Sequence, residues 1–187
     1  MPKPPQLPKI EYGTLWEAGQ TWDAWLKACQ GPAQDEMSGI YASAEVPADV
    51  AAALQGLKRP VHVLAIAEDW CGDVRRNTPV LAKVCAASPN VRLRLIDKEN
   101  HPDVMVRYLT NGAEAIPIFL FFNDKFVEVG NWGPRPAACK LFMARGKGCG
   151  DLEAARAKIK EYYQADRHRT TVKELADLIG IAGAERV

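Results

Sequence analysis

The passage from Val61 to Asp73 restricts the fold more than any other. Val61-His-Val-Leu-Ala-Ile-Ala67 is a short apolar, β-branched run after Lys58-Arg59-Pro60, and it reads as a strand. Its near-continuous hydrophobicity predicts burial on both faces, as at the centre of an α/β sheet. Glu68-Asp-Trp-Cys-Gly-Asp73 follows at once. From Gly72 to Ala87 the spacing of Val74, Val80, Leu81 and Val84 predicts a helix that contains Pro79. Cys71 is thereby set between a buried strand and the first turn of a helix.

The rest of the chain extends this pattern. Val91–Ile96 alternates apolar and arginine positions, which suits a strand near a sheet edge. A short helix is expected from Asn100, its cap, through Pro102 to Asn111-Gly112. Ile116–Phe122 reads as a second buried strand, Asn123-Asp124 as a turn and Lys125–Val129 as a further strand, making a hairpin. A parallel βαβ unit joined to an antiparallel pair results. Helices are expected before it over Tyr12–Cys29, Gln34–Ala42 and Pro47–Leu57, and after it over Pro134–Arg145 and Asp151–Arg167. A last helix opens on a capping box, Thr171-x-x-Glu174, and ends at Gly180. Gly146–Gly150 reads as a flexible break. The organisation is then a Pro-rich arm over 1–11, helices over 12–58 packed on the domain, a core over 59–145 and a helical extension over 151–187.

Composition excludes several classes of function. Of 187 residues, 48% are hydrophobic and 25% charged, the balance of a packed globular protein. A formal net charge of +1 gives no overall electrostatic case for nucleic acid or an anionic membrane as partner. No stretch has the apolar length of a membrane span. The first residues, Met1–Ile10, are broken by prolines and lack the apolar segment of a secretory signal, so a cytoplasmic location is expected. The five cysteines are odd in number and nowhere spaced Cys-x-x-Cys, and the three histidines are scattered. Free thiols, no metal site and no cofactor are therefore expected.

At Cys71 the converging amides and dipole of a helix start favour thiolate over thiol. Trp70 can shield one side of the sulfur, and Arg75 and Arg76 can add positive potential, whereas Glu68, Asp69 and Asp73 oppose ionisation. The alternative is an inert thiol on a binding scaffold. Strand, Trp70-Cys71-Gly72, helix with Pro79, then Ile116-Pro117 opening a later strand together resemble the thioredoxin-like superfamily. That resemblance implies a central mixed sheet of about four strands flanked by helices, with extra N-terminal and C-terminal helices here. It assigns the nucleophile to Cys71, support to Trp70 and Gly72, the kink proline to Pro79, and the cis-proline loop that pairs with an extended substrate to Ile116 and Pro117; Asp73, beside them in the motif, is expected to be a further supporting residue. More narrowly, Glu68–Asp73 together with Asn131-Trp-Gly-Pro-Arg-Pro136 resembles a branch of bacterial thioredoxin-like proteins with a single active-site cysteine.

The departures from the signature are equally informative. Val74 stands where the family has its second cysteine, Asp73 where it has proline, and Ala65 where it has a buried carboxylate. A local dithiol cycle, in which the second thiol releases the mixed disulfide, is ruled out. Cys149 is a candidate distant resolving thiol, and an exposed loop cysteine is its plainer reading. Cys29, Cys85 and Cys139 fall in helical patterns as small core residues. Trp132–Pro136 either covers one side of the site or only turns the chain. Two functions are left: a monothiol thiol–disulfide oxidoreductase acting on protein or small-molecule thiols and disulfides, or a non-catalytic binding or adaptor module using the same groove.

Overall fold

Four strands carry the core, and their order explains where Cys71 lies. The computed structural model describes residues 7–29 and 31–184, so the start of the Pro-rich arm falls outside the described residues. Helices α1 (Tyr12–Ala18), α2 (Trp22–Ala28), α3 (Pro32–Ser43) and α4 (Ala48–Gln55) come first. Then follow β1 (Val61–Ile66), α5 (Gly72–Cys85), β2 (Val91–Ile96), α6 (Pro102–Met105), β3 (Ile118–Phe122) and β4 (Glu128–Trp132). The chain continues with α7 (Ala137–Cys149), α8 (Leu152–Asp166) and α9 (Arg169–Ala182). The sheet order is β2-β1-β3-β4. β1 pairs with β2 in parallel and with β3 antiparallel, while β3 and β4 form an antiparallel pair with an irregularity between Phe121 and Phe122.

β1 and β3 are central strands and are buried along their whole length, as their apolar runs require. β2 is an edge strand, as its alternation predicts, and Gln20 partly covers that edge by exchanging backbone hydrogen bonds of 2.9 and 2.8 Å with Leu95. The same exchange divides the helix expected over Tyr12–Cys29 into α1 and α2, because Gln20 takes an extended, strand-like backbone. Thr21 then caps α2 by accepting from the Ala24 N–H at 3.2 Å. Trp16 is buried, donates from Nε1 to the Val63 carbonyl at 3.0 Å and meets His62 edge-on.

Four other expectations need correction. The last strand begins at Glu128, three residues late, because Asn123 Oδ1 accepts from the Lys125 and Val127 amides at 2.9 and 3.0 Å and holds 123–127 as a loop, with Phe126 at φ 56°. Gly146–Gly150 is not a break. α7 runs through to Cys149 and ends on left-handed Gly150, since Gly146 lets α7 approach α8 closely: a Cβ there would stand 2.5 Å from the Ala155 Cβ. The helix expected from Asn100 is only the single turn of α6, with His101 at its N-cap position and no capping side chain, because the Asn100 amide donates to Asp97 Oδ1 at 2.8 Å. Thr171 and Glu174 form no capping box. α9 starts earlier, at Arg169, continues past Gly180, and its Glu174 reaches instead to Trp132 and to the first turn of α7.

α5 packs against α3, α9 and β2, and α9 against β4, β3 and α4. α7 and α8 pair beside them around a small cluster of Cys139, Ile159 and Tyr163. Among the described residues, no helix is long and apolar enough to cross a membrane, and no His, Cys, Asp and Glu cluster could hold a metal ion.

Candidate functional site

β1 ends with the Ala67 amide donating to the Ile96 carbonyl at 3.1 Å. The turn that follows is short: the Cys71 amide donates to the Glu68 carbonyl at 3.1 Å, and the Cys71 carbonyl accepts the first helical hydrogen bond, from Arg75, at 3.0 Å. Cys71 is thus the N-cap of α5, with extended backbone (φ −85°, ψ 122°). Its side chain is half-buried, and Sγ donates to the Ile116 carbonyl at 3.4 Å. Ile116 is buried, and the Ile116–Pro117 peptide bond is cis. The structure therefore brings together Cys71 and the Ile116-Pro117 loop, which are 45 positions apart in sequence. Trp70, the residue before Cys71 in sequence, is 58% exposed, an unusual degree for an indole that could have packed inward.

The charges around the cysteine are already engaged. Glu68 accepts from the Lys98 amide at 2.7 Å, tying the loop after β1 to the loop after β2. Arg75 donates from Nε to the Asp69 carbonyl at 2.5 Å and lies 3.7 Å from the Glu36 carboxylate on α3. Asp73 accepts from Arg135 Nε at 2.9 Å on one oxygen and pairs with the Arg135 terminal nitrogen on the other, while Arg76 stands 3.7 Å away. A two-pronged guanidinium–carboxylate pair of this kind fixes geometry as well as charge. Burial raises the Asp73 pKa above its ordinary value, against the opposing pull of Arg135 and Arg76.

Beneath this pair lies a polar junction that has no counterpart in the local sequence pattern. Asn77 is fully buried on α5. Its amide nitrogen donates to the Asp73 carbonyl at 3.0 Å and the Pro134 carbonyl at 3.3 Å, and lies 3.0 Å from the Tyr163 hydroxyl. That hydroxyl also lies 3.2 Å from the Asn77 carbonyl oxygen. One side chain thereby joins α5, the loop after β4 and α8.

The loop Asn131–Pro136 lies directly against the cis-proline turn. Gly133 has φ 139°, and a Cβ there would stand 2.0 Å from the Pro117 carbonyl oxygen, so only glycine fits. The next bond, Gly133–Pro134, is also cis. Trp132 is buried, stacks on Phe119 with ring centroids 5.2 Å apart, and donates to Glu174 at 2.6 Å.

Of the other thiols, Cys29, Cys85 and Cys139 are buried. Burial pushes the first and last up to about 11 and raises Cys85 as well. Cys149 is exposed at the far end of α7, about 20 Å along the helix from the loop that carries Arg135. Val74 and Ala65, the positions where a second thiol and a carboxylate would act, are both completely buried. Arg135, Asn77 and Tyr163 were not legible as site residues in the sequence. Arg135 alone carried a signal, as the charged residue between two prolines.

A parallel βαβ unit with an antiparallel pair beside it, a cysteine capping the helix after the first strand, and a proline turn facing that cysteine define a thioredoxin-like fold. A family model described as thioredoxin matches residues 19–156, and the chain belongs to that family. Among solved structures, a protein of unknown function from Pseudomonas aeruginosa superposes with a TM-score of 0.71 at 21% identity, covering 93% of this chain and 99% of that one. An HIV epitope-scaffold superposes with a TM-score of 0.68 at 22% identity, covering 94% and 100%. No curated protein matches the chain.

Proposed function

We propose that the chain is a monothiol thiol–disulfide exchange protein with Cys71 as its reacting group, in the branch of bacterial thioredoxin-like proteins that carry Glu68–Asp73 as their signature. The observation that carries this reading is the half-buried Cys71 sulfur at the start of α5, 3.4 Å from the carbonyl that precedes Pro117. In the reaction, the Cys71 thiolate attacks one sulfur of a partner disulfide. The S–S bond breaks, the leaving thiolate takes up a proton, and Cys71 is left in a mixed disulfide. A second thiol, from another protein or a small molecule, then attacks that mixed disulfide and restores Cys71. The backbone beside Pro117 would hold an extended partner segment, with Trp70 against the sulfur. A reducing cytosol is the compartment this chemistry assumes.

The test is alkylation of each thiol, read peptide by peptide over a range of pH. Cys71 is expected to react faster at neutral pH than the other four thiols, and a Cys71→Ser variant to form no mixed disulfide. Equal reactivity at Cys71 and exposed Cys149 would overturn the proposal. A second reading, a binding or adaptor module, draws support from Val74 and Ala65, which remove the groups a dithiol cycle uses. It requires a partner retained equally by wild type and Cys71→Ala.

A further inference from the structure

Two cavities flank the Asp73–Arg135 pair. One, of about 720 Å³, lies between the loop before Pro117 and α7, and carries Arg107, Arg135, Lys140 and Lys147 together with exposed Leu109 and Leu141. The other, of about 250 Å³, begins at Gly72 beside Cys71 and carries Arg76, Arg135, Arg156 and Lys160. They share the lining residues Arg135 and Met143 and so adjoin, as a groove in two parts. Among the described residues, seven cationic side chains line it against a single carboxylate, Asp73, which Arg135 already holds. The whole chain has a formal net charge of only +1, so this is a local concentration of positive charge. Arg156 and Lys160, one turn apart on α8, make no ion pair among the described residues.

We infer that this groove receives an extended, acidic segment of a partner protein, with apolar residues between its carboxylates. The inference rests on the exchange reading above and names the partner class for the same site. Charge complementarity chooses the sign of the occupant. Leu109 and Leu141 add apolar contact that a bare anion would not use. A single-stranded nucleic acid would want aromatic rings on which bases stack. Among the described residues the groove offers only Tyr108, whose hydroxyl is held at 2.6 Å by both Glu128 and Tyr12.

The probe is a fluorescein-labelled, cysteine-free peptide of alternating Glu and Leu, read by anisotropy beside its Lys-Leu counterpart and an oligonucleotide of equal charge. The Glu-Leu peptide is expected to bind, to weaken with added salt, and to weaken by about tenfold or more in Lys140→Glu/Lys147→Glu. Lys27→Glu/Lys58→Glu, with the same change in net charge elsewhere on the surface, is expected to leave binding unchanged. Lys147→Glu alone, at the exposed end of α7, should give a smaller loss in the same direction should the double variant fold poorly. Equal binding of the acidic and basic peptides, equal loss in both double variants, or tighter binding of the oligonucleotide overturns the inference. Exchange of Cys71 with a small uncharged disulfide is measured in parallel. Its absence, with peptide binding intact, removes the exchange reading and leaves the docking groove. Its presence, with binding blind to charge, does the reverse.

Discussion

Asp73 and Arg135 hold each other by both carboxylate oxygens across 62 positions of sequence, one on the first turn of α5 and the other between two prolines after β4. Replacing Arg135 by Leu leaves the covered Asp73 carboxylate without its partner. The expected cost is about 1–3 kcal/mol, less than for a fully buried pair because Arg135 retains some water. Denaturant midpoints measure it, and an unchanged midpoint would show that the pair is ornamental to stability.

The same carboxylate gives a pH signature. Because its folded pKa is raised above 3.8, the folded chain binds that proton more tightly than the unfolded chain does. Its contribution is fully present below the unfolded value and is lost as pH rises through the raised one. Wild type should therefore gain stability relative to Asp73→Asn as pH falls from about 7 to about 4. Melts of both proteins across that interval check the sign.

Gly133→Ala should be severe. The new Cβ meets a backbone oxygen that cannot move aside, and φ 139° suits glycine alone. A loss of about 3 kcal/mol or more, or failure to accumulate folded protein, is expected. Gly148→Ala is the contrast, a helical glycine with nothing near its missing Cβ, and should gain about 0.5–1 kcal/mol. Thermal melts of the pair decide the matter. Similar midpoints would contradict the close approach to Pro117.

Asn77→Leu should cost about 2–3 kcal/mol, since the Tyr163 hydroxyl and the Pro134 carbonyl lose their partner in a covered place. Tyr163→Phe should cost about 1 kcal/mol. In the double variant the losses should fall short of their sum, because each change already breaks the shared contact. Strict additivity in urea titrations would mean that the two side chains act independently.

Val74→Cys restores the missing spacing. A thiol there can attack a mixed disulfide at Cys71, releasing the partner thiol and leaving an internal disulfide. Adducts trapped on wild type should persist, while those on Val74→Cys should decay, as mass spectra taken over time would record. Equal lifetimes would mean that position 74, fully buried, cannot reach the sulfur.

The framework was legible in the sequence because it is written locally. Val61–Ile66 and Ile118–Phe122 are apolar runs whose burial needs no partner to be recognised, and Cys71 abuts the first of them. What local pattern missed was decided by distant contacts. Gln20 is extended because Leu95 pairs with it, and Gly146 is helical because Ala155 lies against it. Asn77 looks like any polar helix residue until Pro134 and Tyr163 close over it. The groove's charge was invisible for a related reason: its cations come from α5, the turn after α6, the loop after β4, α7 and α8, and they cancel in the chain's total.

Glu174 ties the length of the chain to the shape of the site. From α9 it takes the Trp132 indole proton at 2.6 Å and the Ala137 amide at 3.1 Å, bracketing the turn that carries Gly133 and Arg135. A chain cut before α9 would keep every residue near Cys71 yet lose the clamp on both sides of that turn. The last helix is thus a remote brace for the thiol's surroundings, and trimming it would loosen the groove without touching a single atom inside.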